Sequence, residues 1–381
     1  MDRRAAVSAS LLLASLTVAV ECGRGLDAAY IAVGSGYRSL SLVARLAQSD
    51  LDSTRRPGDV RIVLGTGDTS GQVAREGLAG EVDHAMRIAR TAGVVGVVGH
   101  GGSRESLLAA PVYNEAGIPQ IVPTGTSRLL RDAGPWTFPL APNDSAEGEA
   151  IGRFAAERLG ARSAVIFYVT DEYGVGLRSG AAAALRAHGV TVLDSVPVRD
   201  WGVCGPAEGP ATTFPLVDAA LRRGAPDVLV IATRNATATC IVRRAWTLLP
   251  RTQFIAGDGL SATDEYLAEL GPAGQAFHAV VFWHRDLPDE RSRSFAARFR
   301  AAFGSDPNAG DAMFYDGIMA LAAAVREVGP NRPRIREYLA GLGTRRPALP
   351  GVTGPVSFAA DRPFTFTVIR PRDGRFVLVR E

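Results

Sequence analysis

Hydrophobic and polar positions along this chain repeat in one unit, a short apolar strand followed by a glycine- or hydroxyl-rich loop and an amphipathic helix. The repeat is clearest between Val94 and Val192, where the predicted strands are residues 94–98, 120–123 and 164–169. Strands that alternate with helices are typical of a parallel sheet with crossover connections. The pattern therefore predicts an α/β protein.

The same alternation of strands and helices continues on both sides of this region. Further predicted strands are residues 30–33, 60–64, 228–233, 253–256 and 280–283. The predicted helices are residues 40–51, 81–92, 104–116, 177–188, 214–224, 240–249, 292–303 and 313–328. The last part of the chain differs, because segments 364–369 and 376–379 flank turn residues and indicate a hairpin. At 381 residues the chain exceeds the usual size of one core, so we expect two lobes.

Three loops of the repeat carry small polar residues, at positions 100–103, 124–127 and 170–174. In a parallel sheet the carboxyl ends of the strands meet at one edge, where backbone N–H groups and hydroxyls bind small ligands. The sequence therefore predicts a protein that binds a small anionic or zwitterionic molecule at this edge.

Composition narrows the function classes. A hydrophobic content of 46% and a charged content of 21% are ordinary for a globular protein, and a net charge of +3 leaves no basic stripe for nucleic acid. The chain has no lysine, which excludes a Walker-type phosphate loop, a lysine Schiff base and a Ser–Lys dyad. The five histidines are scattered in sequence, so we expect surface or core histidines, no metal site and no cofactor.

The N-terminus predicts an exported protein. Residues 1–4 are charged and residues 5–20 are apolar but too short to span a bilayer comfortably, as in a secretory signal peptide over residues 1–22. Cleavage after Ala19 and lipidation at Cys22 are alternatives, and Glu21 before Cys22 is unusual for a lipidation signal. In an oxidising compartment Cys204 and Cys240 could pair, or they could stay two unpaired thiols.

Five segments in order give the chain a family resemblance. They are residues 97–119, residues 138–144 with Gly148, and residues 171–176, 315–321 and 352–358. Together they resemble the type I periplasmic binding proteins, in particular the branched-chain amino acid (Leu/Ile/Val) branch of ABC transporter substrate-binding proteins. The likeness extends from about Val94 to Phe358.

The resemblance implies two Rossmann-like lobes with parallel central sheets, joined by three hinge crossings near residues 139–143, 284–287 and 352–355. Lobe 1 would comprise residues 28–141 plus 286–351, and lobe 2 residues 142–285 plus 352–381. It also implies a monomeric, non-enzymatic receptor in the periplasm or outside the cell. Such a receptor captures an amino acid or a related small carboxylate by hinge closure and delivers it to an ABC permease.

On lobe 1 the resemblance implies four ligand-binding residues. The family's carboxylate-binding serine matches Ser103, and its Ala–Ala–Thr turn matches Thr124, Gly125 and Thr126. Ser103 stands at the predicted start of a helix, where N–H groups and the helix dipole favour an anion. The alternative is that these serine and threonine side chains are only helix caps.

On lobe 2 the resemblance implies three more ligand-binding residues. Asp258 matches the ammonium-binding carboxylate, one methylene shorter than the usual Glu, and Tyr173 matches an aromatic residue at the edge of the cleft. Arg234 stands where a second Tyr is common, which favours an anionic group on the ligand because guanidinium is an always-charged donor. The alternatives are a turn for Asp258, packing for Tyr173 and a solvated or salt-bridged Arg234, while Asp144 is predicted to cap a helix.

Two other functions stay open at the sequence level. Residues 48–58 lack the Asn and Gly-Gly that the family usually has there, and the loop at 34–37 is short, which suggests a sensor or orphan domain with a drifted pocket. The glycines at 174, 176 and 180, with Asp194 at the end of the next strand, resemble the binding site of a nicotinamide-dependent oxidoreductase. Four residues separate the preceding strand from the first glycine, where that fingerprint needs an immediate turn.

Overall fold

The computed structural model describes residues 28–34, 39–66, 70–199, 213–222, 224–260, 262–360 and 362–379. The strands within this part are β1 (Ala28–Val33), β2 (Arg61–Thr66), β3 (Val94–Val98), β4 (Gln120–Val122), β5 (Thr137–Pro139), β6 (Ser163–Val169), β7 (Thr191–Val198), β8 (Val228–Ala232), β9 (Gln253–Ala256), β10 (Phe277–Val281), β11 (Leu349–Pro350), β12 (Pro355–Val356), β13 (Thr367–Arg372) and β14 (Arg375–Leu378). The α-helices are α1 (Leu40–Ser53), α2 (Ser70–Arg90), α3 (Ser103–Ala116), α4 (Asp144–Glu157), α5 (Glu172–Ala187), α6 (Thr213–Arg222), α7 (Asn235–Leu248), α8 (Asp264–Leu270), α9 (Glu290–Phe303), α10 (Ala309–Val328) and α11 (Arg332–Gly341).

The first sheet has five parallel strands in the order β2-β1-β3-β4-β5. Its strand β3, Val-Val-Gly-Val-Val, is buried along its whole length, as expected for a parallel strand that helices cover on both faces. The helices α9, α10 and α11 come much later in the chain, yet their apolar residues join the same core cluster as β1 and α1. We call this unit lobe 1.

The second sheet has seven strands in the order β14-β13-β10-β9-β8-β6-β7. Its strands β6 to β10 are parallel, and β13 and β14 add an antiparallel hairpin at one edge. The hairpin turns at Asp373 and Gly374, which both have positive φ, as a tight two-residue turn requires. We call this unit, with α4 to α8, lobe 2.

Helices α4 and α5 of lobe 2 pack backbone to backbone. A methyl group at Gly148 would overlap the main chain of Gly180 and Ala181, so only glycine permits this approach. The glycines of α5 therefore serve helix packing. They do not form a phosphate-binding turn, because Asp171 caps α5 directly with a hydrogen bond from the N–H of Gly174 (2.9 Å). The dinucleotide interpretation of the glycine pattern is wrong for this reason.

Predicted and observed elements agree in kind, and the differences have physical causes. Helix α5 begins at Glu172 instead of residue 177, because the glycines in its first turns hide the apolar periodicity. Only the start of helix α4, near Asp144, was predicted; its extent was not, since small residues occupy much of its buried face. Strand β10 ends at Val281, two residues before the predicted end, where the chain leaves the sheet.

Within the described ranges, no helix combines the length and apolar character that crossing a bilayer requires. The predicted signal peptide at residues 1–22, the lipidation candidate Cys22 and the loop at residues 35–37 lie outside the described residues.

Candidate functional site

A cleft separates the two lobes and is lined from both sides. Lobe 1 contributes Thr124, which follows β4, and the segment 306–310 before α10. Lobe 2 contributes Asp258, which follows β9, and residues 262–265. Residues 281–285, which leave β10 toward α9, line the same space. The carboxyl ends of parallel strands thus face each other across the cleft, as expected for a ligand site in α/β proteins.

On lobe 1 the structure brings together the four residues predicted there. The Ser103 hydroxyl oxygen accepts hydrogen bonds from the N–H groups of Thr126 (3.1 Å) and Ser127 (3.0 Å), so the start of α3 is tied to the loop after β4. Thr124 donates its hydroxyl to the Gly101 carbonyl (3.2 Å), and Gly125 lies between Thr124 and Thr126. The ligand-binding role of these four residues stays a prediction.

On lobe 2 the centre of the site is a buried carboxyl pair. The backbone N–H of Asp258 donates to Glu147 Oε1 (2.6 Å), and that of Gly259 donates to the Tyr173 hydroxyl (2.9 Å). A Cβ at Gly257 would lie 2.8 Å from Glu147 Oε1, and one at Gly259 would lie 2.6 Å from the Tyr173 hydroxyl oxygen. The glycines on either side of Asp258 therefore let these side chains approach.

Burial dominates the electrostatics of this pair. It raises the pKa of Glu147 well above its ordinary value, and the nearby Asp258 charge raises it further. The pKa of Asp258 is raised to about 6, mainly by burial, while hydrogen bonds and Arg234 favour its ionised form. The raised pKa of Glu147 favours its protonated form at neutral pH, whereas Asp258 is mostly ionised there, so the pair carries about a single negative charge. Among the described residues, Asp258 Oδ1 is buried and has no hydrogen-bond partner.

Asp144 is a third carboxyl group near the pair. Its predicted capping role is wrong, because Asn143 caps α4 by accepting from the N–H groups of Ser145 and Ala146 (3.1 Å each). Asp144 is instead buried in the first turn, where burial raises its pKa to about 7 and the Thr126 hydroxyl counteracts this shift. Its N–H donates to the Thr126 carbonyl (2.9 Å), which links the start of α4 to the lobe 1 loop.

Arg234 stands at the rim of lobe 2 as the N-cap residue of α7. Its guanidinium lies 2.6 Å from Asp171 Oδ2 and 5.7 Å from the centroid of the Tyr173 ring. The ion pair with Asp171 partly neutralises the positive charge of Arg234. The contact of the guanidinium with the face of the Tyr173 ring is a cation–π interaction. The predicted roles of Arg234, Tyr173 and Asp258 in ligand binding stay predictions.

No sequence pattern singled out Glu147, which the structure places at the centre of the lobe 2 site. The available signal was an acidic residue between small residues shortly after the predicted hinge at residues 139–143, in the segment Asp144-Ser145-Ala146-Glu147-Gly148. Such a spacing is also typical of an ordinary helix start, which is why it did not stand out.

Cys240, near the start of α7, is disulfide-bonded. The partner considered in the sequence, Cys204, lies outside the described residues, so this pairing stays a prediction.

Two α/β lobes that face each other across a polar cleft are characteristic of two-lobed solute-binding proteins. The chain belongs to the periplasmic binding protein family, whose sequence pattern matches residues 79–372. This match confirms the family resemblance drawn from the sequence, and because the family is one of binding proteins, it confirms the expectation of a binder over an enzyme.

Among curated proteins, the chain is 26% identical over 248 residues to the Leu/Ile/Val-binding protein homolog 1 of Brucella abortus. That alignment covers 64% of this chain and 62% of the relative, so the chain matches about three fifths of the relative's length.

Two solved structures share the fold. A leucine binding protein from Thermotoga maritima superposes with a TM-score of 0.79 at 21% identity, over 92% of this chain and 98% of that one. A solute binding protein from R. palustris in complex with benzoate superposes with a TM-score of 0.75 at 17% identity, over 92% and 95% of the two chains. These superpositions confirm the predicted fold class. They cover a larger share of the chain than the family's sequence match over residues 79–372.

Proposed function

We propose that this protein is the extracytoplasmic solute receptor of an ABC-type importer and that it captures an amino acid or a related small carboxylate. The family membership and the names of the similar proteins, which bind leucine, isoleucine and valine or are bound to benzoate, support this proposal. Its partner in the membrane would be an ABC permease.

The observation that carries the proposal is the environment of Asp258 Oδ1. This oxygen is buried at the cleft and has no partner among the described residues, and an unsatisfied buried acceptor costs about 1–3 kcal/mol. A solute with an ammonium group supplies the missing donors together with a compensating positive charge. The chemistry therefore favours an amino acid over a carboxylate without an amino group.

The carboxylate of such a solute fits the opposite side of the cleft. Ser103 begins α3, where backbone N–H groups and the helix dipole favour an anion. The Ser103 oxygen already accepts two N–H bonds, so its own hydrogen can be donated to the solute. Thr124, in the loop whose Thr126 N–H binds the Ser103 oxygen, lines the cleft. The two charged ends of one amino acid would thus contact different lobes.

The proposed mechanism of solute capture follows from this distribution of contacts over the two lobes. A solute that contacts both lobes binds the closed arrangement more tightly than the open one, and it shifts the equilibrium by that difference in affinity. A nearly complete switch needs about 5.5 kcal/mol of differential binding. No bond in the solute is made or broken.

The experiment is a thermal-shift screen of the purified chain, after removal of bound solute, against the amino acids, small carboxylates including benzoate, and NADH. At 100 times its dissociation constant, the true solute stabilises the folded chain by about 2.7 kcal/mol. We expect a response to one or a few amino acids. Asp258→Asn should remove it, and Asp373→Asn, in an exposed turn of the β13–β14 hairpin, should keep it.

Other outcomes contradict the proposal. A response to carboxylates alone would overturn the amino acid assignment, and NADH serves as the negative control. If no compound in the panel raised the melting temperature, the result would favour a sensor or orphan domain with a drifted pocket.

A further inference from the structure

Lobe 1 contains a buried group of potential metal ligands that does not line the cleft. Glu81 and His84 lie on α2, and His100 follows β3. One carboxylate oxygen of Glu81 and one ring nitrogen of each histidine all lie within 4.8 Å of one another. The three residues are 3%, 2% and 0% exposed, respectively. The structure thus brings together two histidines that looked scattered in the sequence.

The side chains of Glu81, His84 and His100 are held in orientations that suit the binding of one metal ion. Glu81 and His84 are three residues apart, so they share one face of α2 in the Glu-x-x-His spacing that helical metal sites use. Glu81 Oε2 lies 2.7 Å from His100 Nδ1, and the His84 and His100 rings stand edge to face with centroids 5.5 Å apart. These contacts point one ring nitrogen of His100 toward the space between the three side chains.

The second nitrogen of His100 also has a partner. His100 Nε2 lies 3.0 Å from the hydroxyl of Tyr113, which is itself fully buried. Histidines that bind metals through one nitrogen generally donate the other N–H to a nearby oxygen, which fixes the tautomer and the ring orientation. Tyr113 meets that requirement.

We propose that Glu81, His84 and His100 bind a divalent transition-metal ion, with zinc as the best match. Two imidazoles and one carboxylate are the ligand types that zinc prefers, at about 2.0–2.2 Å. Calcium and magnesium favour all-oxygen sites and fit the two imidazoles poorly. A water molecule would be the fourth ligand of a tetrahedron. The three ligand atoms lie within 4.8 Å of one another, and a tetrahedral site requires separations of about 3.3–3.5 Å, so the ligands would move closer together when the ion binds.

The role of the ion is structural. His100 is followed by Gly101, whose carbonyl accepts the Thr124 hydroxyl, and by Ser103 at the start of α3. An ion held by α2 and by His100 would fix this loop against the helix. The metal site would therefore stabilise lobe 1 and support the loop that faces the cleft.

The competing explanation is a metal-free hydrogen-bonded chain from Glu81 through His100 to Tyr113. The test is zinc binding by the chelator-stripped, purified chain, measured by elemental analysis after dialysis and by calorimetry. Co²⁺ absorption in the wild type reports the ligand geometry directly, independently of any variant. The proposal predicts one equivalent of zinc per chain, a higher melting temperature with zinc, and no comparable effect of magnesium or calcium.

Substitutions of single residues test which side chains bind the zinc ion. His84→Gln and Glu81→Gln should lower zinc affinity by at least about 100-fold, and Tyr113→Phe by about 10- to 100-fold. His188→Gln, at a partly exposed histidine that contacts Glu149 on the surface of lobe 2, should bind zinc as the wild type does. Circular dichroism of the stripped proteins shows whether each variant is folded.

Three results would overturn the proposal. They are a wild type that binds no zinc and gives no Co²⁺ spectrum, a folded His84→Gln protein that keeps full affinity, and loss of binding in His188→Gln. None of these measurements involves a solute, so the metal site and the proposed receptor function fail or succeed separately.

Discussion

Arg104 and Glu172 form an ion pair across the cleft, with 2.8 Å between Arg104 Nε and Glu172 Oε2. Arg104 directly follows Ser103 on lobe 1, and Glu172 directly precedes Tyr173 on lobe 2. The pair therefore joins the two helix starts that carry predicted ligand-binding residues. It can form only when the lobes are close at this edge, so it favours the closed arrangement.

Removing this ion pair should weaken solute binding modestly. Both side chains are about one third exposed, at 35% and 31%, which places the pair in the range of about 0.2–1 kcal/mol for surface salt bridges. We expect Glu172→Gln to raise the dissociation constant up to about fivefold, with a smaller effect at high salt. Calorimetric titrations at two salt concentrations measure both quantities.

The matched control is Glu337→Gln, which removes the exposed Arg345–Glu337 pair within lobe 1 and should leave affinity unchanged. Equal effects of the two variants would show that Arg104–Glu172 has no specific part in closure.

The buried carboxyl groups should make the protein less stable as the pH rises above neutrality. A carboxyl group whose pKa is raised by folding stabilises the native state at low pH, and this contribution is lost as the pH rises through the folded-state pKa. Asp144, with a pKa of about 7, and Glu147, with a pKa raised well above the ordinary value, act in this direction. His84 and His284, whose pKa values are lowered to about 4, act in the opposite direction, and their effect fades as the pH rises above the ordinary histidine value of about 6.5. We therefore expect the free energy of unfolding to fall between pH 6.5 and 8.

Glu147→Gln should reduce that slope. Its amide is neutral, as the protonated carboxyl is, and its oxygen can accept from the Asp258 N–H in the same way; the change removes up to one linked proton, about 1.4 kcal/mol per pH unit. Urea unfolding at several pH values between 6.5 and 8 measures the slope, and Glu115→Gln, on the exposed face of α3, is the control. An unchanged slope in Glu147→Gln would mean that Glu147 is ionised in the folded protein.

Solute affinity should depend on pH through Asp258. An ammonium group is bound by the ionised carboxylate, and the pKa of Asp258 without solute is about 6. Between pH 7 and pH 5 we expect an amino acid to bind about tenfold more weakly, since one pKa unit corresponds to about 1.4 kcal/mol. Calorimetry at pH 5, 6 and 7 checks this, and Asp258→Asn should bind weakly at each pH. Constant wild-type affinity over this range would contradict the role of Asp258.

The close packing of α4 on α5 should make Gly148 intolerant of substitution. Gly148→Ala would place a methyl group against the backbone of Gly180, and such overpacking typically costs about 1–3 kcal/mol. Gly65→Ala is the control, because no atom lies within 4 Å of a Cβ at Gly65. Urea unfolding compares the two variants, and similar stabilities would show that the helices separate readily.

Continuous apolar runs explain why the fold could be predicted from the sequence. A parallel strand covered on both faces, such as β3, is apolar throughout and is bounded by turn residues, so local pattern alone indicates it. The residues that follow such strands, Thr124 and Asp258 among them, lie at the predicted sheet edge for the same reason.

The rest of the site depends on contacts between distant residues. Glu147 meets Asp258 across 111 positions of sequence, and its burial follows from the packing of α4 in lobe 2. His84 and His100 come together only because one face of α2 packs against the loop after β3. The Arg234–Asp171 ion pair likewise joins residues that follow neighbouring strands, which a single sequence does not pair.

The central claim is that the cleft binds the two charged ends of one amino acid, and calorimetry with leucine and its deaminated analogue 4-methylpentanoate tests it most directly. The account predicts that the stripped wild type binds leucine at one site per chain, that 4-methylpentanoate binds at least tenfold more weakly, and that Asp258→Asn narrows this difference. Equal binding of the two compounds by the wild type, or leucine binding unchanged in Asp258→Asn, would contradict it.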